Sequence, residues 1–182
     1  FAMVYAYSEN YMLVLSHDEV VHLKCSMIEK MPGSYEDKFK NLMAGYAFMT
    51  GHPGTKLLFM GQDFGQHREW SEKRELDWFL LDKEPNRHLQ AFVKELLHLY
   101  KNNKCLYEYD CYPEGFEWIN AADGDRSIFS FVRHSESGKS IMLFAINFTP
   151  VERPDYRVGT TCRRKHTLVL NSDDKTFGGT GK

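Results

Sequence analysis

Met12-Leu13-Val14-Leu15-Ser16-His17-Asp18-Glu19 is the stretch on which the reading of this chain turns. A short apolar run ends abruptly in a polar cluster. Such a run fits a strand buried on both faces, as in a parallel sheet covered by helices. In folds of that kind, functional groups project from the carboxyl ends of the strands. A second run, Leu57-Leu58-Phe59-Met60, closes at Gly61 and is followed by Gln62-Asp63. Between the two, Phe39, Leu42, Met43, Tyr46 and Met49 recur at helical steps, and Gly51 and Pro53 stop the pattern. Leu89, Phe92, Val93, Leu96, Leu97 and Tyr100 trace another helical stripe, with Lys101, Asn102 and Asn103 suited to its end. Strand, helix, strand, helix predicts βα units on a parallel sheet.

From about residue 105 the pattern changes. Phe116–Ile119, Ser127–Val132, Ile141–Phe148 and Thr167–Leu170 all read as strands. Asp123-Gly124-Asp125 and Ser135-Glu136-Ser137-Gly138-Lys139 supply turns between the first three. Consecutive strands with short turns predict an antiparallel sheet, part of a sandwich. The expected organisation is α/β over residues 1–104 followed by an all-β domain over 105–182.

The composition excludes several classes. Lys+Arg of 23 against Asp+Glu of 25 gives a formal charge of −2, without the basic excess of a nucleic-acid binder. No apolar run approaches the roughly 20 residues that span a bilayer, so no membrane partner is expected. Phe1–Ser8 has neither a basic n-region nor a full apolar h-region, so it does not read as a signal peptide. Hydrophobic content of 42% is enough to bury a core. Cys25, Cys105, Cys111 and Cys162 are scattered without a CxxC pair, too sparse for a disulfide scaffold. Reduced thiols and a cytoplasmic location are expected. The chain opens in mid-pattern and closes on Phe177-Gly178-Gly179-Thr180-Gly181-Lys182, which predicts a fragment.

The densest polar cluster is Ser16-His17-Asp18-Glu19, with His22 beyond it. Polar side chains crowded at a strand mouth need a ligand or a dense hydrogen-bond network; the alternative is a polar loop with Asp or Glu capping a helix. His17 and His22 do not match the i, i+4 pair of a helical zinc motif, and no metal or cofactor is expected. Asp63, at the end of the second run, could pair with Asp18 as acid and nucleophile if the two stood roughly 5–5.5 Å apart; otherwise it orders its Gly-flanked loop. Arg68-Glu69-Trp70 and Glu75-Leu76-Asp77-Trp78-Phe79 combine aromatics with carboxylates. That mixture suits a sugar-binding groove, and equally a loop that packs its Trp residues. Neither a phosphate-binding glycine loop nor a nucleophile elbow is present.

Leu15-Ser16-His17-Asp18-Glu19-Val20-Val21-His22 resembles the fourth conserved region of the alpha-amylase superfamily, in the form found in its 1,4-alpha-glucan (glycogen) branching enzymes. Lys30-Met31-Pro32-Gly33, His52-Pro53-Gly54, Lys56–Gly61, Arg68-Glu69-Trp70, Leu76-Asp77-Trp78, Gly115–Ile119 and Asn147–Val151 follow in the order of those enzymes. The resemblance implies the C-terminal portion of a (β/α)8 TIM barrel over 1–104, then a partial antiparallel β-sandwich over 105–182. It implies a glycosyltransferase of glycogen biosynthesis that cleaves an alpha-1,4-glucan and joins the segment to a 6-hydroxyl, with retention of configuration. Asp18 then stabilises the transition state, His17 binds substrate and transition state, and Glu19 and Trp70 bind substrate. The partner is an alpha-glucan, glycogen or an amylose-like chain.

Two departures from the family pattern stand out. Nothing matches the regions of the family's nucleophile and acid/base, and a retaining mechanism needs two carboxylates across the bond. The chain alone is therefore expected to be inactive and, with exposed strand edges, to self-associate. Leu23 and Cys25 also stand where the family usually has glycine. Alternatives remain open: another alpha-amylase-type hydrolase, or a non-catalytic carbohydrate-binding or interaction module.

Overall fold

The computed structural model describes residues 3–4, 6–163 and 165–182. Phe1, Ala2 and Tyr5, within the stretch read against a signal peptide, lie outside the described residues, as does Arg164. The elements run β1 (Met12–Leu15), α1 (Tyr35–Gly51), β2 (Thr55–Leu58), α2 (Glu84–Asn102), β3 (Phe116–Asp123), β4 (Ile128–His134) and β5 (Ile141–Asn147). β1 and β2 pair in a two-stranded sheet; β3, β4 and β5 form a three-stranded one in that order. A (β/α)8 barrel is eight strands closed on themselves, and two paired strands do not make a barrel evident.

The chain divides into two compact units. One gathers residues 14–46, 57–97 and 169–182. Its core takes Phe39, Leu42, Met43 and Tyr46 from α1, and Leu89, Phe92, Val93 and Leu96 from α2. α1 begins where Gly33, in the left-handed region at φ 96°, hands the chain to Ser34. There the Asp37 amide donates to Ser34 Oγ and the Ser34 amide donates to Asp37 Oδ2, both at 3.2 Å. This reciprocal cap satisfies amides that the first turn leaves without partners. The Ser34 hydroxyl, which donates to Asp37 Oδ2 at 2.8 Å, and then the Ser34 amide hold the Asp37 carboxyl below its ordinary range. Gly65 lies so close that a Cβ would stand 3.0 Å from Leu89 and 3.1 Å from Phe39. Leu97 departs from the expected stripe: it is 55% exposed.

The other unit gathers residues 1–13, 47–56 and 98–168. β4 is its spine, paired antiparallel with β3 on one side and β5 on the other. The β3–β4 register slips between Trp118 and Asn120 and again before Asp123. Phe131 lies between two rings, Phe144 at 4.9 Å and Phe116 at 5.1 Å, both stacked. Gly51 is required at the end of α1, because a Cβ there would sit 2.7 Å from the Phe131 ring.

Three of the four expected strands form with boundaries close to those read from the sequence. The fourth does not: Thr167–Leu170 pairs with nothing among the described residues, and Leu168 is 79% exposed. Its β-branched pattern is real, but a strand needs a partner's backbone, and no described segment offers one. Among the described residues, the portion from residue 105 onward thus forms one antiparallel sheet, β3–β4–β5. The second apolar run also shifts, pairing over Thr55–Leu58 and leaving Phe59 and Met60 to a turn that Gly61 closes at φ 80°.

Candidate functional site

β1 ends in a 3-10 turn, His17–Glu19, with Ser16 at its cap position. No side chain caps that turn, so Asp18 and Glu19 do not act as the helix caps of the plain-loop alternative. Both His17 and Asp18 are exposed, with His17 Nε2 3.2 Å from Asp18 Oδ1. The geometry presents an imidazole and a carboxylate side by side at the surface. Glu19 points to Lys30, its Oε2 accepting from Nζ at 3.2 Å.

The residues after β2 supply a wall of rings. His17 and Phe59 lie 6.1 Å apart, and Phe59 meets Trp70 edge-on at 5.1 Å. The Trp70 amide donates to the Val20 carbonyl at 3.0 Å. That bond fixes the backbone of Trp70 to the residue that follows the His17–Glu19 turn. Of the four residues read as site residues, His17 and Trp70 are thus linked through Phe59, and Asp18 and Glu19 share the turn with His17.

Glu69 is the residue whose role sequence reasoning missed. Its Oε1 accepts the Cys25 amide at 2.8 Å and its Oε2 accepts the Leu23 amide at 3.2 Å. His22, Leu23 and Cys25 all sit in the left-handed region, at φ 58°, 65° and 67°, a conformation that favours glycine. The Leu23 and Cys25 amides, on either side of Lys24, turn to one carboxylate, and that anion is a side chain of the same chain. The only signal in the sequence is the pair of non-glycine residues at family glycine positions.

Asp77, in the segment read as a possible sugar groove, and Asp63, read as a possible acid or nucleophile, both have partners in the protein. Asp77 is buried and held by a bidentate pair from Arg68, Nε to Oδ2 at 2.7 Å and Nη2 to Oδ1. Its amide also donates to Gln66 Oε1 at 2.9 Å. Asp63 accepts from Gln90 Nε2 of α2 at 3.1 Å, which fits the loop-ordering reading. Trp78 and Phe79 do face solvent, at 52% and 63% exposure. Among the described residues, no three His, Cys, Asp or Glu side chains gather to hold a metal, and no helix is long and apolar enough to cross a membrane.

Residues 118–182 match the alpha amylase, C-terminal all-beta domain family. Over 181 residues, all of this chain, the sequence is 56% identical to a 1,4-alpha-glucan branching enzyme of Butyrivibrio fibrisolvens. Along its whole length the chain is similar to 1,4-alpha-glucan branching enzymes. A branching enzyme of Aquifex aeolicus is 50% identical over 181 residues, and one of Halothermothrix orenii 47% over 182. The chain covers 28% of the length of the first of these branching enzymes and 29% of each of the other two.

Proposed function

We propose that this chain is the carboxyl-terminal part of a cytoplasmic 1,4-alpha-glucan branching enzyme. Residues 1–104 supply the last βα units of its catalytic barrel, and residues 105–182 begin its sandwich domain. The whole enzyme cleaves an alpha-1,4-glucan and transfers the freed segment to a 6-hydroxyl, through two displacements that retain configuration. One observation carries this reading: similarity to branching enzymes runs the full length of the chain, at 56% identity over 181 residues in one case.

Within that reaction, the Asp18 carboxylate faces positive charge as it develops on the sugar ring. Fixed charge placed where transition-state charge appears is a major source of rate enhancement. His17 donates to, or accepts from, sugar hydroxyls beside it. Trp70 offers an apolar ring face to a sugar, and Glu19 accepts from a further hydroxyl. Nucleophile and acid/base come from outside this chain, so the isolated chain binds at most weakly and does not catalyse.

The test is an assay of the full-length parent on amylose. A branching enzyme lowers iodine absorbance with no rise in reducing ends, and adds alpha-1,6 linkages visible by NMR. A rise in reducing ends without new linkages would instead assign a hydrolase. Glucan pull-down with residues 105–182 separates the remaining alternative, since tight binding by that segment alone would assign a carbohydrate-binding module.

A further inference from the structure

A small cavity inside the first-described unit has about 10 Å³ of space for the centre of a water molecule. Val20, Ser26, Gln62, Gln66, Arg68 and Trp70 are among the residues that line it. Ser26 and Gln62 are each 3% exposed. Ser26 Oγ and Gln62 Nε2 are buried polar atoms that meet no protein partner. The orientation of the Gln62 amide is set, because its Oε1 accepts the Phe59 amide at 3.0 Å. A flipped amide would point N–H at N–H. Nε2 is therefore a donor that needs an acceptor, while the Ser26 hydroxyl can give or take a hydrogen bond.

Buried polar atoms are almost always satisfied, by protein or by ordered water. A water needs roughly 10–15 Å³ of such space and two to four polar partners. We propose that this cavity is a binding site for one ordered water, which accepts from Gln62 Nε2 and donates to Ser26 Oγ. The water ties the segment after β2, through Gln62, to the segment after the His17–Glu19 turn, through Ser26. Val20 and Trp70, joined by their backbone bond, form part of the same wall. The site stands on packing and hydrogen-bond capacity, and does not depend on the reaction proposed above.

A high-resolution crystal structure of the full-length protein is the direct test. The expected result is one water peak within hydrogen-bond distance of both Ser26 Oγ and Gln62 Nε2. A direct bond between those two atoms with no water, or a dry cavity, would overturn the proposal. In solution, water-oxygen magnetic relaxation dispersion should count one fewer long-lived water in Ser26→Ala than in the unaltered protein, and an unchanged count would contradict it. Should Ser26→Ala fail to fold, the crystal structure of the unaltered protein still decides.

Discussion

The Glu69 carboxylate accepts the backbone amide of Cys25 at 2.8 Å, and with its second oxygen that of Leu23. A side chain more than forty residues away thus holds a loop in a conformation its own residues disfavour. A left-handed residue with a side chain costs about 1 kcal/mol or more.

Glu69→Ala should therefore lower stability by roughly 0.5–1.5 kcal/mol, the net worth of a hydrogen bond whose exposed amide water then takes over. Leu23→Gly should act in the opposite direction. Leu23 is 95% exposed, so glycine loses no burial there and relieves about 1 kcal/mol of strain. Thermal unfolding of the two variants checks both signs. A stabilised Glu69→Ala would remove the loop-holding role.

Arg133 is fully buried and spends its guanidinium on Gly115 O, Gly51 O and Asp110 Oδ1, at 2.9, 2.9 and 2.8 Å. Asp110 also accepts from the Tyr100 hydroxyl at 2.8 Å. Removing one partner of a buried pair leaves an uncompensated charge, at a cost of roughly 3–5 kcal/mol. Asp110→Ala is expected to destabilise by about that amount in chemical denaturation. A loss indistinguishable from zero would mean that solvent reaches Arg133.

Lys56 gives a signed pH dependence. Burial pushes its ammonium down to about 8 from 10.5, against the opposing pull of Asp110. Between those values the unfolded chain binds the proton and the folded one does not, so unfolding free energy rises with pH. The stability deficit from the buried cation is complete below pH 8 and is relieved as pH climbs toward 10. Lys56→Met lacks this slope. Stability of the unaltered protein minus that of Lys56→Met should grow by about 2 kcal/mol from pH 7.5 to 10, on the order of 1.4 kcal/mol per unit of pKa shift. A flat difference across that range would show that Lys56 does not titrate as a buried group.

The isolated chain exposes Leu168, Val169 and Met60 at 79%, 60% and 55%. Exposed large apolar side chains favour association. Light scattering of the purified chain should report species larger than a monomer, increasing with concentration. A monodisperse monomer at high concentration would contradict this.

The helices could be read in advance because their evidence is local. The Phe39, Leu42, Met43 and Tyr46 spacing marks a buried face, and Gly51 with Pro53 marks its end. β3, β4 and β5 were equally open to inspection, since short turns bring consecutive strands together. Thr167–Leu170 was not, because pairing depends on a distant segment that no local pattern reveals. Leu97 misled for a related reason: spacing defines a stripe but not its width. At the candidate site, the His17-Asp18-Glu19 cluster was visible as a polar break after an apolar run. The Glu69 clamp was invisible, since it acts on backbone amides and leaves no pattern in the side chains it holds. Arg133 looked like any strand cation until the structure buried it.

We propose above all that the Asp18 carboxylate stabilises the transition state of glucan transfer. The most direct measurement is the branching kcat of the full-length parent carrying Asp18→Asn, with folding verified by circular dichroism and thermal midpoint. The side chain is 67% exposed and, among the described residues, pairs only with its neighbour His17, so the amide should leave the fold unchanged. The expected result is a kcat lower by roughly 10²–10³-fold, the loss typical of removing one fixed group at developing charge. Near-normal branching by a correctly folded Asp18→Asn enzyme would contradict it.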